Sequence, residues 1–233
     1  MLKIIGTPIG NIEDVSLRQL KEFFSIPIVF AEDTRNFLKL KSILKERYLD
    51  ILKIFEIDLE LKQQIFSYRE QNHNNATVQI LSFLREGNDV ALVSDAGMPT
   101  ISDPGQRLVE EILKNNYEVD VIPSATAIET ALAISGIETD KFTFLGFLPR
   151  ERGKIQKLIS QNSHNTIVIY ESPFRVIKTL EYAAELNERF YIAACNDLTK
   201  KFQKIFRGNI SEVIERLRTE KKIVGEWVII LKI

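Results

Sequence analysis

The chain has 233 residues, 45% of them apolar and 27% charged, with a net charge of -1 and one cysteine, Cys195. That apolar fraction fills a core and that charge keeps a surface wet. The composition excludes an intrachain disulfide and a cysteine-based zinc site. It also gives no global attraction to nucleic acid, although a local basic face stays open. No apolar run approaches the roughly 18 residues of a membrane span, and Met1 leads straight into a strand-like LKIIG without a signal-peptide pattern, so a reducing, cytoplasmic setting is expected.

Residues 2–6 read as a strand and residues 7–11, TPIGN, as the tight loop after it. A helix follows with Leu17, Leu20, Phe23 and Phe24 on one side. Residues 26–31 form a second apolar strand, which ends abruptly in Glu32, Asp33, Thr34 and Arg35. Thr34 is placed to cap a helix carrying Phe37, Leu40 and Leu44. A third strand is expected at 52–57. Residues 68–75, YREQNHNN, lack apolar periodicity and read as a loop, and residues 77–86 as a helix stopped by Gly87.

The most informative stretch is 90–105, VALVSDAGMPTISDPG. Its apolar start suits a strand buried on both faces of a parallel sheet. Its polar continuation is longer than a turn needs and holds two acids, Asp95 and Asp103. Asp103, followed by Pro104, reads as the N-cap of a helix over 106–115.

Residues 118–122 read as a strand broken by Pro123, and 128–134 as a small-residue helix closed by Ser135 and Gly136. Strand-like segments then recur at 142–148, 166–170, 190–195, 202–206 and 227–231. Helices are expected after Pro173, up to 187, and over 210–218. Alternating strands and helices imply α/β architecture with parallel pairing in the first half. Closer strand spacing implies a mixed sheet in the second. The composition shift at 123–126 sets the expected boundary between an N-terminal domain, 1–122, and a C-terminal domain, 123–233.

Four polar clusters follow apolar strands directly, at 7–11, 32–35, 94–103 and 123–126. In an open parallel sheet such clusters converge on one edge, where ligands bind. Glycines at 6 and 10 alone do not make a dinucleotide fingerprint, and no GK[ST] loop exists. His73 and His164 stand apart, so no metal set has ligand spacing. A metal-dependent phosphohydrolase with Asp95 and Asp103 as Mg²⁺ ligands is the reading from a different class.

Several segments occur in a fixed order: GTPIGN at 6–11, AEDTR at 31–35, VSDAGMP at 93–99, SDPG at 102–105, GFLP at 146–149, YESP at 170–173 with Arg175, LTK at 198–200 and GE at 225–226. Together they resemble the ribosomal RNA small-subunit methyltransferase I family of the tetrapyrrole methylase superfamily, across essentially the whole chain. The resemblance implies two α/β domains with a cofactor cleft between them, and a homodimer. It implies an S-adenosyl-methionine-dependent 2'-O-methyltransferase acting on a cytidine of 16S rRNA in the small ribosomal subunit. An acceptor other than RNA, such as a tetrapyrrole carbon, is the nearer alternative. By the resemblance, Ile9, Asp95, Met98, Thr126 and Ala127 line the cofactor pocket, with Asp95 expected to be a buried carboxylate. Glu32, Asp33 and Lys200 are the candidates to draw the proton from the acceptor hydroxyl, and Arg35 the group that positions a phosphate or orients the acid. Glu32 and Arg35 read equally well as a plain structural ion pair. The chain departs from the family at Pro123-Ser124-Ala125-Thr126, at Asn196-Asp197, and at Arg69 and Gln71, where histidines are usual. Basic clusters at 39–47, 150–157 and 200–207 are the places where phosphates would be tracked.

Overall fold

The computed structural model describes all residues, 1–233. The chain divides into two compact units, Met1–Ala125 and Thr126–Ile233, so residues 123–125 go with the first. No helix is long and apolar enough to cross a membrane.

The first unit runs β1 (Leu2–Ile5), α1 (Leu17–Ser25), β2 (Ile28–Ala31), α2 (Thr34–Arg47), α3 (Leu49–Ile54), β3 (Gln64–Ser67), α4 (His73–Arg85), β4 (Val90–Val93), α5 (Gln106–Lys114) and β5 (Val119–Ile122). All five strands are parallel, in the order β3-β2-β4-β1-β5. Successive side chains of a strand point to opposite faces, and here both faces are buried. Leu2, Ile4, Ile28, Phe30, Val90 and Leu92 face one core with α4 and α5. Ile5, Val29, Ala31, Ala91 and Val93 face the other with α1, α2 and α3. Phe30 is fully buried between Phe66 and Phe83, a burial that contributes about 2–3 kcal/mol.

Four local expectations are corrected. Residues 52–57 form no strand: Leu52 anchors the short helix α3 in the core while Ile54 stands exposed. The slot beside β2 is taken by Gln64–Ser67, an edge strand that is only half-buried and so shows no apolar run. Residues 68–75 are not one loop, because a short 3-10 turn, Glu70–Asn72, leads into α4 at His73. Asp33, not Thr34, caps α2, accepting from the amides of Arg35 at 2.9 Å and Asn36 at 3.4 Å. Asp103 caps nothing, since the residue before α5 is Gly105.

The second unit runs α6 (Ala127–Ser135), β6 (Phe142–Phe147), α7 (Arg152–Asn162), β7 (Thr166–Glu171), α8 (Val176–Ala184), β8 (Tyr191–Asn196), β9 (Lys204–Asn209), α9 (Ile210–Arg218) and β10 (Trp227–Lys232). Its sheet, β6-β7-β10-β8-β9, is mixed as expected: β6 and β7 are parallel and the other neighbours antiparallel. Ile167, Ile169, Ile192, Ala194, Ile229 and Leu231 pack with α7, α8 and α9 into one core. The helix after Pro173 starts later than its proline suggests, at Val176, because residues 172–175 form a turn closed by the Arg175 and Val176 amides on the Ser172 carbonyl.

Candidate active site

β1 and β2 are followed by helices on one face of the first sheet, and β4, between them, by α5 on the other. Connections that diverge in this way leave a crevice beyond the carboxyl ends of the strands. The loops that line it are tied together. Thr7 and Gly97 exchange backbone hydrogen bonds of 2.8 and 3.0 Å, joining the β1 and β4 loops. The Thr7 hydroxyl donates to the Ser94 carbonyl at 3.3 Å, and Ser124, after β5, donates to the Thr7 carbonyl at 2.8 Å. Gly6 sits where these loops touch. A Cβ there would lie 2.5 Å from Ser124 Cβ and 2.6 Å from Met98 Sδ, so only glycine fits. Thr100 and Ser102 hold positive φ of 75° and 64°, backbone strain of the kind that gathers at ligand sites.

Carboxylates crowd this rim. The Asp95 side chain accepts from the Asp33 amide at 3.2 Å and from Asn36 Nδ2 at 2.7 Å, while the Asp95 amide donates to Glu32 at 3.3 Å. Burial pushes the Glu32 carboxyl up, against the Asp95 amide, which draws it down; the Asp95 charge adds to the rise. Asp103 is pushed up to about 7, first by burial and then by the charge of Glu32, with Asp95 adding a little and Ser94 pulling the other way. Asp33 behaves oppositely. Its hydrogen bond with the Arg35 side chain and the Arg35 amide holds it well below the usual carboxylate range. The rim therefore holds two acids met by hydrogen bonds, Asp33 and Asp95, and two that resist ionisation, Glu32 and Asp103.

The sequence-derived residues distribute as follows. Glu32, Asp95, Met98 and Ile9 lie on the first unit's rim loops, and Arg35 in the first turn of α2. Ile9 is buried, with its Cγ2 beside Gly97. Asp95 is exposed rather than buried, because it stands at the lip of the crevice. The structural ion pair is Arg35 with Asp33 at 2.8 Å, not with Glu32. Thr126 and Ala127 open the second unit, where Thr126 caps α6 by accepting from the Glu129 amide at 3.3 Å. Lys200 also belongs to the second unit. It pairs with Asp197 at 3.1 Å and Glu226 at 2.7 Å, in a loop where Asp197 and Thr199 hold positive φ. Asn36 and Arg69 at this rim escape a reading of the sequence, in which Asp103 is only a helix cap or a magnesium ligand. Arg69 donates to the Glu32 carbonyl at 2.9 Å and to Asp33 at 3.2 Å. No group of three His, Cys, Asp or Glu side chains is arranged to hold a metal ion. The Asp95–Asp103 magnesium reading has no such group behind it.

The tetrapyrrole (corrin/porphyrin) methylase family model matches residues 1–214. The chain belongs to the tetrapyrrole methylase family. Among curated relatives, the ribosomal RNA small subunit methyltransferase I of Thermotoga maritima is 38% identical over 231 residues, covering 99% of this chain and 97% of the relative. That of Bacillus subtilis is 37% identical over 234 residues, covering 100% of this chain and 75% of the relative. Of solved structures, a cobalt precorrin-4 methyltransferase superposes with a TM-score of 0.66 at 16% identity, over 99% of this chain and 94% of its own. The uroporphyrin-III C-methyltransferase of Thermus thermophilus, complexed with S-adenosyl homocysteine, gives 0.61 at 15%, over 99% and 96%. At that identity these two speak for the fold alone. As a member of this family the chain is a methyltransferase that uses S-adenosyl-methionine. The first unit's residues fit that donor in kind. Backbone pressed close at Gly6, strained loop geometry at 97–105 and an acidic rim suit a compact cationic ligand with polar edges.

Proposed function

We propose that this methyltransferase 2'-O-methylates a cytidine of bacterial 16S rRNA within the small ribosomal subunit, in the cytoplasm and as a homodimer. The observation that carries this reading is the 34–38% identity, over nearly the whole chain, to relatives named for small-subunit rRNA methylation. Ile9, Asp95, Met98, Thr126 and Ala127 are the residues proposed to hold the cofactor, which supplies a methyl group activated by a sulfonium and a neutral leaving group. The protein's own work is then alignment and proton removal.

Glu32 is the proposed proton acceptor for the ribose hydroxyl, and Asp103 joins it. A carboxyl poised at about 7 is half-ionised at neutral pH and can take a proton as the 2'-oxygen bonds to the methyl carbon. Arg35 is 86% exposed on the side chain, so while it braces Asp33 its guanidinium can still meet a phosphate. Lys200 is proposed to meet the substrate from the second unit, held ready by Asp197 and Glu226.

The test is transfer of a radiolabelled methyl group from S-adenosyl-methionine to small ribosomal subunits lacking the modification, with free 16S rRNA alongside. The reading expects label in RNA that protects one linkage from alkaline hydrolysis. Label entering only a tetrapyrrole, or none entering either RNA, overturns it. An Arg35→Ala variant is expected to lose transfer while retaining its cofactor affinity. Wild-type transfer by that variant removes Arg35 from the site.

A further inference from the structure

We propose that Phe147 and Phe174 of the second unit form a stacking platform for unpaired nucleobases of the RNA substrate, with Arg150 taking an adjoining phosphate; this rests on the rRNA reading above.

Phe147 ends β6, the edge strand of its sheet, and is 62% exposed. Its ring lies 5.7 Å from that of Tyr170 on β7, which in turn packs 4.9 Å from Phe144. The ring is therefore backed by other rings and kept from folding inwards. The strand is irregular here: the β6–β7 register shifts between Phe144 and Phe147, with Gly146 at positive φ, and this turns Phe147 outwards.

Phe174 is 94% exposed. Its loop is nonetheless firmly held. The buried Glu171 accepts from the Ser172 amide at 2.8 Å and the Thr179 hydroxyl at 2.6 Å, and pairs with Arg175 at 3.3 Å. Arg175 also donates to the Leu148 and Pro149 carbonyls at 3.0 and 2.8 Å. These bonds tie the residues on either side of Phe174 to those directly after Phe147, so the two rings stand on one braced corner. A phenyl ring that its own backbone holds in water forgoes the stabilisation that burial would give. Nothing in this unit's packing requires that exposure.

The surroundings select the occupant. Between 150 and 157 stand Arg150, Arg152, Lys154 and Lys157 against the single carboxylate Glu151. Arg152 and Lys154 have partners, in Glu185 and Glu151, whereas Arg150 and Lys157 are exposed and make no salt bridge. Exposed aromatic faces interleaved with unpaired cations match a single-stranded nucleic acid, whose bases stack while its phosphates take the charge. A second copy of the chain is disfavoured, because a two-fold contact through this corner would set the same cations against each other.

The experiment compares wild type with Phe147→Ala/Phe174→Ala, Phe174→Trp and Arg150→Ala, each in the full chain. Four quantities are read: the melting temperature, S-adenosyl-homocysteine affinity, affinity for a fluorescent oligocytidine of 12 nucleotides as a function of salt, and methyl transfer to small ribosomal subunits. The double variant is expected to keep its melting temperature and cofactor affinity, to bind the oligonucleotide about 10–100-fold more weakly with an unchanged salt slope, and to transfer methyl with a raised KM. Phe174→Trp is expected to retain or tighten binding. Arg150→Ala is expected to lower the salt slope by about 1. Unchanged oligonucleotide affinity in the double variant overturns the platform while leaving the rRNA reading standing, provided that wild type still methylates subunits. Conversion of a wild-type dimer to a monomer by the double variant also overturns it, since the corner is then an interface between copies. Failure of wild type to methylate any RNA overturns the underlying rRNA reading, a separate result.

Discussion

The two sheets carry their charged loops in opposite conditions. In the second unit the acids are paired: Glu171 with Ser172, Thr179 and Arg175, and Asp197 and Glu226 with Lys200. Among the carboxylates on the first unit's rim, by contrast, only Asp33 is paired with cations, Arg35 and Arg69. Glu32 and Asp103 are left beside Asp95 with their ionisation disfavoured. Satisfied networks hold a fold in one shape, whereas uncompensated groups in a crevice are the mark of chemistry. The proposed function accordingly puts the proton-handling work in the first unit and leaves most of the second unit's ion pairs a scaffolding role.

The comparison breaks first at the proposed proton acceptors. Glu32→Gln and Asp103→Asn are each expected to lower the methyl-transfer kcat by about 10²–10³, with S-adenosyl-homocysteine affinity kept, as titration calorimetry would record. If only KM moves, the rim binds without taking the proton. Next in size is the scaffold. Glu171→Ala strips Thr179 and Arg175 of a buried partner and is expected to cost about 3 kcal/mol in urea unfolding, with the folded fraction's cofactor affinity unchanged.

A smaller effect follows from pH. Asp103 is raised from its ordinary carboxylate value to about 7, so between about pH 4 and 7 the folded chain holds a proton that the unfolded chain has released. Its contribution to stability is therefore full below about pH 4 and is lost as pH rises through 7. Asp103→Asn should stabilise the chain at pH 8 by on the order of 1–2 kcal/mol, allowing for solvent screening of a group that is not fully buried, and change little at pH 4. Thermal melts at the two pH values decide it. Smallest is Lys200→Ala. Its half-exposed ion pairs predict a stability change under about 1 kcal/mol. Its proposed contact with the substrate predicts a severalfold rise in KM for ribosomal subunits.

Much of this was legible in the sequence because strands buried on both faces announce themselves. The run at 90–93 and the polar tail that follows it marked β4 and the long loop after it. Edge strands announce nothing: Gln64–Ser67 needs no apolar run, and the apolar residues at 51, 52 and 54 belong to a helix instead. At the site, Glu32 and Asp95 could be read from their motifs, but the contacts that define their state could not. Asn36 reaches Asp95 across 59 positions and Arg69 reaches Asp33 across 36, and no local pattern encodes such pairs. Asp103 was disguised by Pro104, which made a helix cap the obvious reading, while strained backbone at Thr100 and Ser102 carries it to the rim.

The decisive measurement is the pH dependence of single-turnover methyl transfer to small ribosomal subunits, in wild type and in Asp103→Asn. The account predicts that the wild-type rate climbs with pH and levels off above an inflection near 7, and that the variant is slow and lacks that inflection. A variant with wild-type rate and the same inflection would contradict it.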